Sequence, residues 1–102
     1  SLLRLVLYLL ASPLFAQFPY PPTSTDARVE TYRTIDATEL KLWIFGEREP
    51  NAQKPAIMFF FGGGWSSGSP AQFERQARHF AARGMIAITA DYRVRSRQGV
   101  RV

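Results

Sequence analysis

Cysteine is absent from all 102 residues, which excludes a disulfide scaffold, a thiolate metal cluster and a cysteine nucleophile whatever compartment the chain reaches. Histidine occurs once, as His79. No apolar run reaches the roughly 20 residues that a membrane span needs. An acidic excess is also lacking: 13 basic side chains stand against 8 acidic ones, for a net charge of +5. That charge is unevenly placed, since residues 17–92 hold eight of each sign and the surplus is Arg4 plus Arg93, Arg95, Arg97 and Arg101. A surplus confined to one end reads as a solvated tail or loop, so a nucleic-acid partner is not expected. With 46% hydrophobic and 21% charged residues, the composition is globular, wholesale disorder and a purely fibrous repeat are not expected, and one domain at most fits.

The first sixteen residues place Arg4 before the apolar run Leu5–Ala11, a helix-breaking Pro13 and a small Ala16. This is the order of a secretory signal, so export to the periplasm or exterior is expected, with cleavage near Ala16 and no stable membrane anchor. Residues 17–28 hold three of the seven prolines among small polar residues and read as an extended, polyproline-like linker. The chain opens on Ser1, with its methionines only at 58 and 85, and stops directly after a strand-like region. Residues 29–102 are therefore expected to be the N-terminal portion of a longer domain.

Val29–Ile35 and Leu40–Phe45 alternate apolar with polar side chains across the polar break Asp36-Ala37-Thr38-Glu39, a pattern that predicts a hairpin. Ala56–Phe61 is a continuous apolar run too short for a helix, as a central strand buried on both faces requires. Four of the seven glycines then fall within residues 62–68. Ser69 reads as an N-cap, with Pro70 at the first helical position and Gln72 completing a capping box. Phe73, Ala77, Phe80 and Ala81 form a helical stripe that Gly84 ends, and Met85–Ala90 is a further strand. Strand, glycine loop, helix and strand make a βαβ unit, and hence an α/β fold with parallel strands.

Ligands of such sheets bind beyond the carboxyl ends of the strands, where the glycine loop lies. Successive glycines let N–H groups approach a phosphate or a developing oxyanion. A phosphate loop needs a lysine after its last glycine, but Ser69-Pro70 follows Gly68. A dinucleotide fingerprint from Gly62 and Gly64 needs its third glycine where Ser67 stands. Neither nucleotide motif is met.

Phe59-Phe-Phe-Gly-Gly-Gly-Trp65, Gly68-Ser69-Pro70 and Asp91-Tyr92-Arg93-Val94 resemble the N-terminal part of the α/β-hydrolase fold. The likeness is strongest to its secreted esterase and lipase branch, including acetyl-xylan and feruloyl esterase-like proteins. It runs from about Thr31 to Val102. The resemblance implies a His-Gly-Gly-Gly oxyanion loop, with backbone donors at Gly63 and Gly64 and Phe61 where the pattern has histidine; Trp65 reads either as a wall of the acyl pocket or as packing beside the glycines. The resemblance also implies acyl transfer from a small-molecule or polysaccharide-linked ester to a serine lying, with its acid and histidine, after Val102. No metal or cofactor is expected, and the 102 residues alone should be inactive. A serine peptidase of the same fold and an exported, non-catalytic binding protein are the alternatives.

Gly64-Trp-Ser-Ser-Gly68 satisfies G-x-S-x-G, yet Ser66 is rejected as the nucleophile. An elbow serine sits on a sharp turn straight from strand into helix, whereas three glycines separate Phe61 from Trp65. His79 precedes Asp91, against the order serine, acid, histidine. His79 is read as a helix-face residue, Asp91 as a loop anchor, Trp43 as core, and the arginines from 93 to 101 as an exposed segment after the fourth strand.

Overall fold

The computed structural model describes residues 18–46 and 53–101. The expected export signal lies outside them, as do residues 47–52. The order is β1 (Arg28–Ile35), β2 (Thr38–Phe45), β3 (Ala56–Phe60), a 3-10 turn (Pro70–Phe73), α1 (Glu74–Ala82), β4 (Ile86–Ala90) and α2 (Arg95–Gln98). The strands form one mixed sheet, β1-β2-β4-β3, in which only β3 and β4 run parallel.

The hairpin turns on two residues rather than four. Asp36 and Ala37 both take positive φ, 47° and 65°, as a two-residue turn with the twist of its flanking strands demands. β1 carries a bulge between Thr31 and Arg33. The intervening Tyr32 is 47% exposed, yet its hydroxyl donates to the Asp91 carbonyl at 2.6 Å, across the sheet.

One sheet face packs on α1. Trp43, Phe45, Ala77 and Ala87 are its buried centre, with Ile57, Phe59, Phe80 and Ala81 around them. Phe59 stacks on Phe73 at 5.3 Å and lies 6.0 Å from Phe80, so the predicted helical stripe meets the strand it was expected to cover. Gly84, at φ 89°, closes α1 in the left-handed region that glycine adopts without penalty.

Two further expectations change. β3 is not buried on both faces: it is an edge among the described residues, and Met58 and Phe60 are 44% and 61% exposed. Its apolar run suits two covering layers, and the described residues supply only one. Gln72 does not close a capping box; its Oε1 accepts from the Gly62 N–H at 2.7 Å instead. Ser69 does cap, accepting from Ala71 N–H at 3.2 Å, while its own hydroxyl donates to the Pro19 carbonyl at 2.6 Å.

That last bond belongs to a wider departure. Residues 18–27 form neither helix nor strand, as proline-rich chain should, but side chains pin them to the domain. Arg78 Nε and Nη2 bind the Asp26 carboxylate at 2.8 and 3.1 Å, and Nη2 also donates to Ser24 at 3.0 Å. The Arg78 bonds hold the Asp26 carboxyl below its ordinary range. Its contribution is present above the usual carboxylate pKa and is lost as pH falls through the depressed one. Both partners are solvent-exposed, so that contribution is small.

Candidate functional site

The carboxyl ends of β3 and β4 open onto a cavity of about 920 Å³. Its lining includes Phe60, Phe61, Gly62, Gly63, Gly64 and Trp65 on one side, and Tyr92 and Arg93 on the other. Parallel strands bring these ends together, and the glycine loop leaves from one of them.

The loop is held at several points. Phe61 is buried and stacks on Tyr92, with ring centroids 4.0 Å apart and planes 5° from parallel. The Tyr92 hydroxyl donates to the Phe61 carbonyl. The phenylalanine thus anchors the start of the loop by packing, where the expected histidine would have offered hydrogen bonds. Gly62 gives its N–H to Gln72. Ser66 N–H donates to the Gly63 carbonyl at 3.0 Å, closing a tight turn. Beyond it, Arg95 N–H and Ser96 N–H donate to the carbonyls of Trp65 and Ser66, both at 2.9 Å.

Among the described residues, the N–H groups of Gly63 and Gly64 have no acceptor. Both residues line the cavity. A fixed loop with uncommitted N–H groups beside a cavity can stabilise negative charge there without reorganising. Gly62 cannot take that part while its N–H is bound to Gln72.

Of the other candidates, Trp65 is 66% exposed on the cavity wall, with φ 60°. Ser66 lies within the Gly63 turn and does not line the cavity. His79 stays on the helix surface, edge-on to Phe80 at 5.4 Å and accepting from Arg83 Nε at 3.0 Å. Asp91 is 1% exposed and lies at the end of β4. Its carboxylate accepts from the Tyr20 hydroxyl at 2.6 Å and from Arg97 Nη2 at 3.2 Å, and its N–H donates to the Lys41 carbonyl at 3.0 Å. That is an anchor for the loop after β4.

Arg97 corrects the reading of the arginine series as wholly solvated. Its side chain is 18% exposed, and its guanidinium lies 3.7 Å above the Tyr20 ring. Tyr20, Gln72, Tyr92 and Arg97 were not singled out as site residues from sequence. Only Tyr92, inside the Asp91-Tyr92-Arg93 signature, carried a usable signal.

Burial, then the bond to Asp91 and its charge, push the Tyr20 phenol up to about 12, against a smaller opposing effect of Arg97. A raised pKa favours the protonated phenol in the folded state. Its contribution is complete below pH 10 and is lost as pH rises towards 12. In full-length protein, alkaline titration at 295 nm of wild type against Tyr20→Phe should isolate a tyrosine titrating near the upper value. A difference spectrum with an ordinary midpoint near 10 contradicts the buried bond.

No known family model matches the chain, and neither does any curated protein. Solved structures do. A thermophilic esterase, Est2, from the Planctomycetes species Thermogutta terrifontis superposes in its native form with a TM-score of 0.78 and 50% identity. The alignment covers 83% of this chain and 31% of that one. The butyrate-bound form gives 0.79 and 50%, covering 84% and 32%. The form phosphorylated by paraoxon gives 0.77 and 50%, covering 82% and 33%. The fold is the N-terminal part of an α/β-hydrolase. The chain thus spans about a third of the length of the esterase it matches.

Proposed function

We propose that this chain is the N-terminal portion of an exported serine hydrolase of carboxylic esters, whose first sixteen residues are the export signal. The observation that carries the reading is the pair of uncommitted N–H groups, Gly63 and Gly64, in a loop fixed beside the cavity. In acyl transfer, a serine oxygen attacks the ester carbonyl and the carbonyl oxygen becomes an anion, which preorganised N–H donors stabilise. The serine, its acid and its histidine base lie outside these residues in this reading. Trp65 walls the acyl pocket. Propionate-bound and butyrate-bound forms of the similar esterase favour short acyl groups as the first substrates to try.

Paraoxon is the direct test, because the similar esterase is phosphorylated by it. Full-length protein should hydrolyse p-nitrophenyl butyrate and lose that activity on reaction with one equivalent of paraoxon. Mass spectrometry should place the adduct on a serine beyond residue 102, and Ser66→Ala should keep wild-type turnover. An adduct on Ser66, or loss of turnover in Ser66→Ala, overturns the assignment of roles. Absence of both turnover and adduct in wild type returns the chain to the non-catalytic binding class.

A further inference from the structure

Three carbonyls of the glycine loop are bound by α2. Those of Trp65 and Ser66 accept backbone N–H groups of Arg95 and Ser96, which any residue supplies. The third, Gly68, accepts from a side chain, Arg97 Nη1. We propose that Arg97 is a positioning residue for the oxyanion loop: it fixes the Gly68 end of the loop and so holds Gly63 and Gly64 in place. The inference rests on the esterase reading above.

The guanidinium is itself held from three directions. Nη2 binds the buried Asp91 carboxylate at 3.2 Å. One face lies 3.7 Å over Tyr20, whose hydroxyl binds the same carboxylate at 2.6 Å. The Phe61 ring, at the opposite end of the loop, is 5.6 Å away. A planar group with two separated N–H donors and a stacking face meets all these demands together, and an ammonium does not. The Gly64 N–H shares its peptide plane with the Gly63 carbonyl, which the Ser66 N–H binds, and Ser66 is itself bound by Ser96. Gly63 lies against the Ser67 carbonyl, next to Gly68. Fixing Ser66 and Gly68 therefore holds the stretch that presents the Gly63 and Gly64 N–H groups to a ligand. The proline-rich segment thereby reaches the site through Tyr20, the ring beneath Arg97.

The test uses full-length protein, with active sites counted by paraoxon titration so that misfolded molecules drop out. Arg97→Met should lower kcat for p-nitrophenyl butyrate about 10- to 100-fold, part of what loss of a whole donor costs, with KM within about twofold. Affinity for an aryl trifluoromethyl ketone, whose adduct with the serine bears an oxyanion, should fall by the same factor. Arg97→Lys keeps the charge without the fork or the stack and should recover only a minor part. Should Arg97→Met not fold, Tyr20→Leu removes the stacking surface and should move kcat and ketone affinity together, about 3- to 10-fold. A purely structural Arg97 would lower the melting temperature while kcat per titrated site and ketone affinity stayed at wild type, and that result overturns the inference. A wild-type protein without turnover or ketone binding instead removes the esterase reading, and this inference falls with it.

Discussion

Gly63→Ala is expected to lower kcat for ester hydrolysis in the full-length protein by about 10²–10³, the effect of losing one oxyanion donor, with KM little changed. Gly64→Ala, one residue along, is expected to cost less than about tenfold. The contrast comes from geometry. Gly63 has φ 145°, and a Cβ there would lie 2.0 Å from the Ser67 carbonyl oxygen and 2.8 Å from its carbon. Both obstacles are backbone, one residue beyond the turn that the Ser66-to-Gly63 hydrogen bond closes, so the turn must shift and the donors move with it. Gly64 has φ 61° with no atom within 4 Å of the same test position. Alanine fits there at the cost of a left-handed conformation, about 1–2 kcal/mol, which the neighbouring Trp65 already adopts at φ 60°. Either substitution retains the N–H itself, so the comparison isolates its placement. Kinetics per titrated active site decide the matter. Equal, small effects at both positions would remove the loop from the chemistry.

What could be read from sequence was what is locally periodic. The β1–β2 alternation, the Phe73-Ala77-Phe80-Ala81 stripe, the helical start at Ser69-Pro70 and the stop at Gly84 each follow from repeat or capping rules that act within a few residues. The hairpin turn was misplaced because Asp36-Ala37 adopts positive φ without the glycine that usually announces it. The run Ala56–Phe61 correctly read as a strand, but burial depends on neighbours, and Met58 and Phe60 have only partial cover among the described residues. The position of β4 between β2 and β3 is likewise a choice among pairings that local patterns do not rank. Contacts between distant residues were the least legible. Tyr20 meets Asp91 across 71 residues, and Arg78 meets Asp26 across 52. Composition made one stretch a linker and another a solvated arginine tail, although Tyr20 and Arg97 join them. The glycine loop's place at the carboxyl ends of the strands was legible because glycine content is a local property. Its supports at Gln72 and Arg97 were not, since each acts through a side chain arriving from a distant part of the chain, and Tyr92 carried a signal only through the Asp91-Tyr92-Arg93 signature.

The junction that joins those segments should also govern stability. Asp91→Ala is expected to destabilise the protein by about 3 kcal/mol, the low end for breaking a buried ion pair because Arg97 retains some solvent contact. The wild-type carboxylate is fully enclosed, at 0% side-chain exposure against 18% for Arg97. Removing it leaves a mostly buried guanidinium without its counter-charge and the Tyr20 hydroxyl without its acceptor. The backbone bonds of residue 91, from its N–H to Lys41 and to its carbonyl from Tyr32, survive the substitution. The loss is therefore that of the carboxylate alone. Asp91→Asn separates charge from hydrogen bonding: its amide oxygen can still accept from Tyr20 but no longer neutralises Arg97. A cost of about 1.5–3 kcal/mol, that of a hydrogen bond to a charged group, is expected there. Urea unfolding of the full-length variants measures both, and the alanine variant should be the weaker. A loss below about 1 kcal/mol for Asp91→Ala would mean that water replaces the carboxylate without penalty. The proline-rich residues 18–27 would then be held by Arg78, Ser69 and the stacking of Tyr20 under Arg97, and Arg97 would owe its position to the Gly68 carbonyl and the Tyr20 ring rather than to its ion pair.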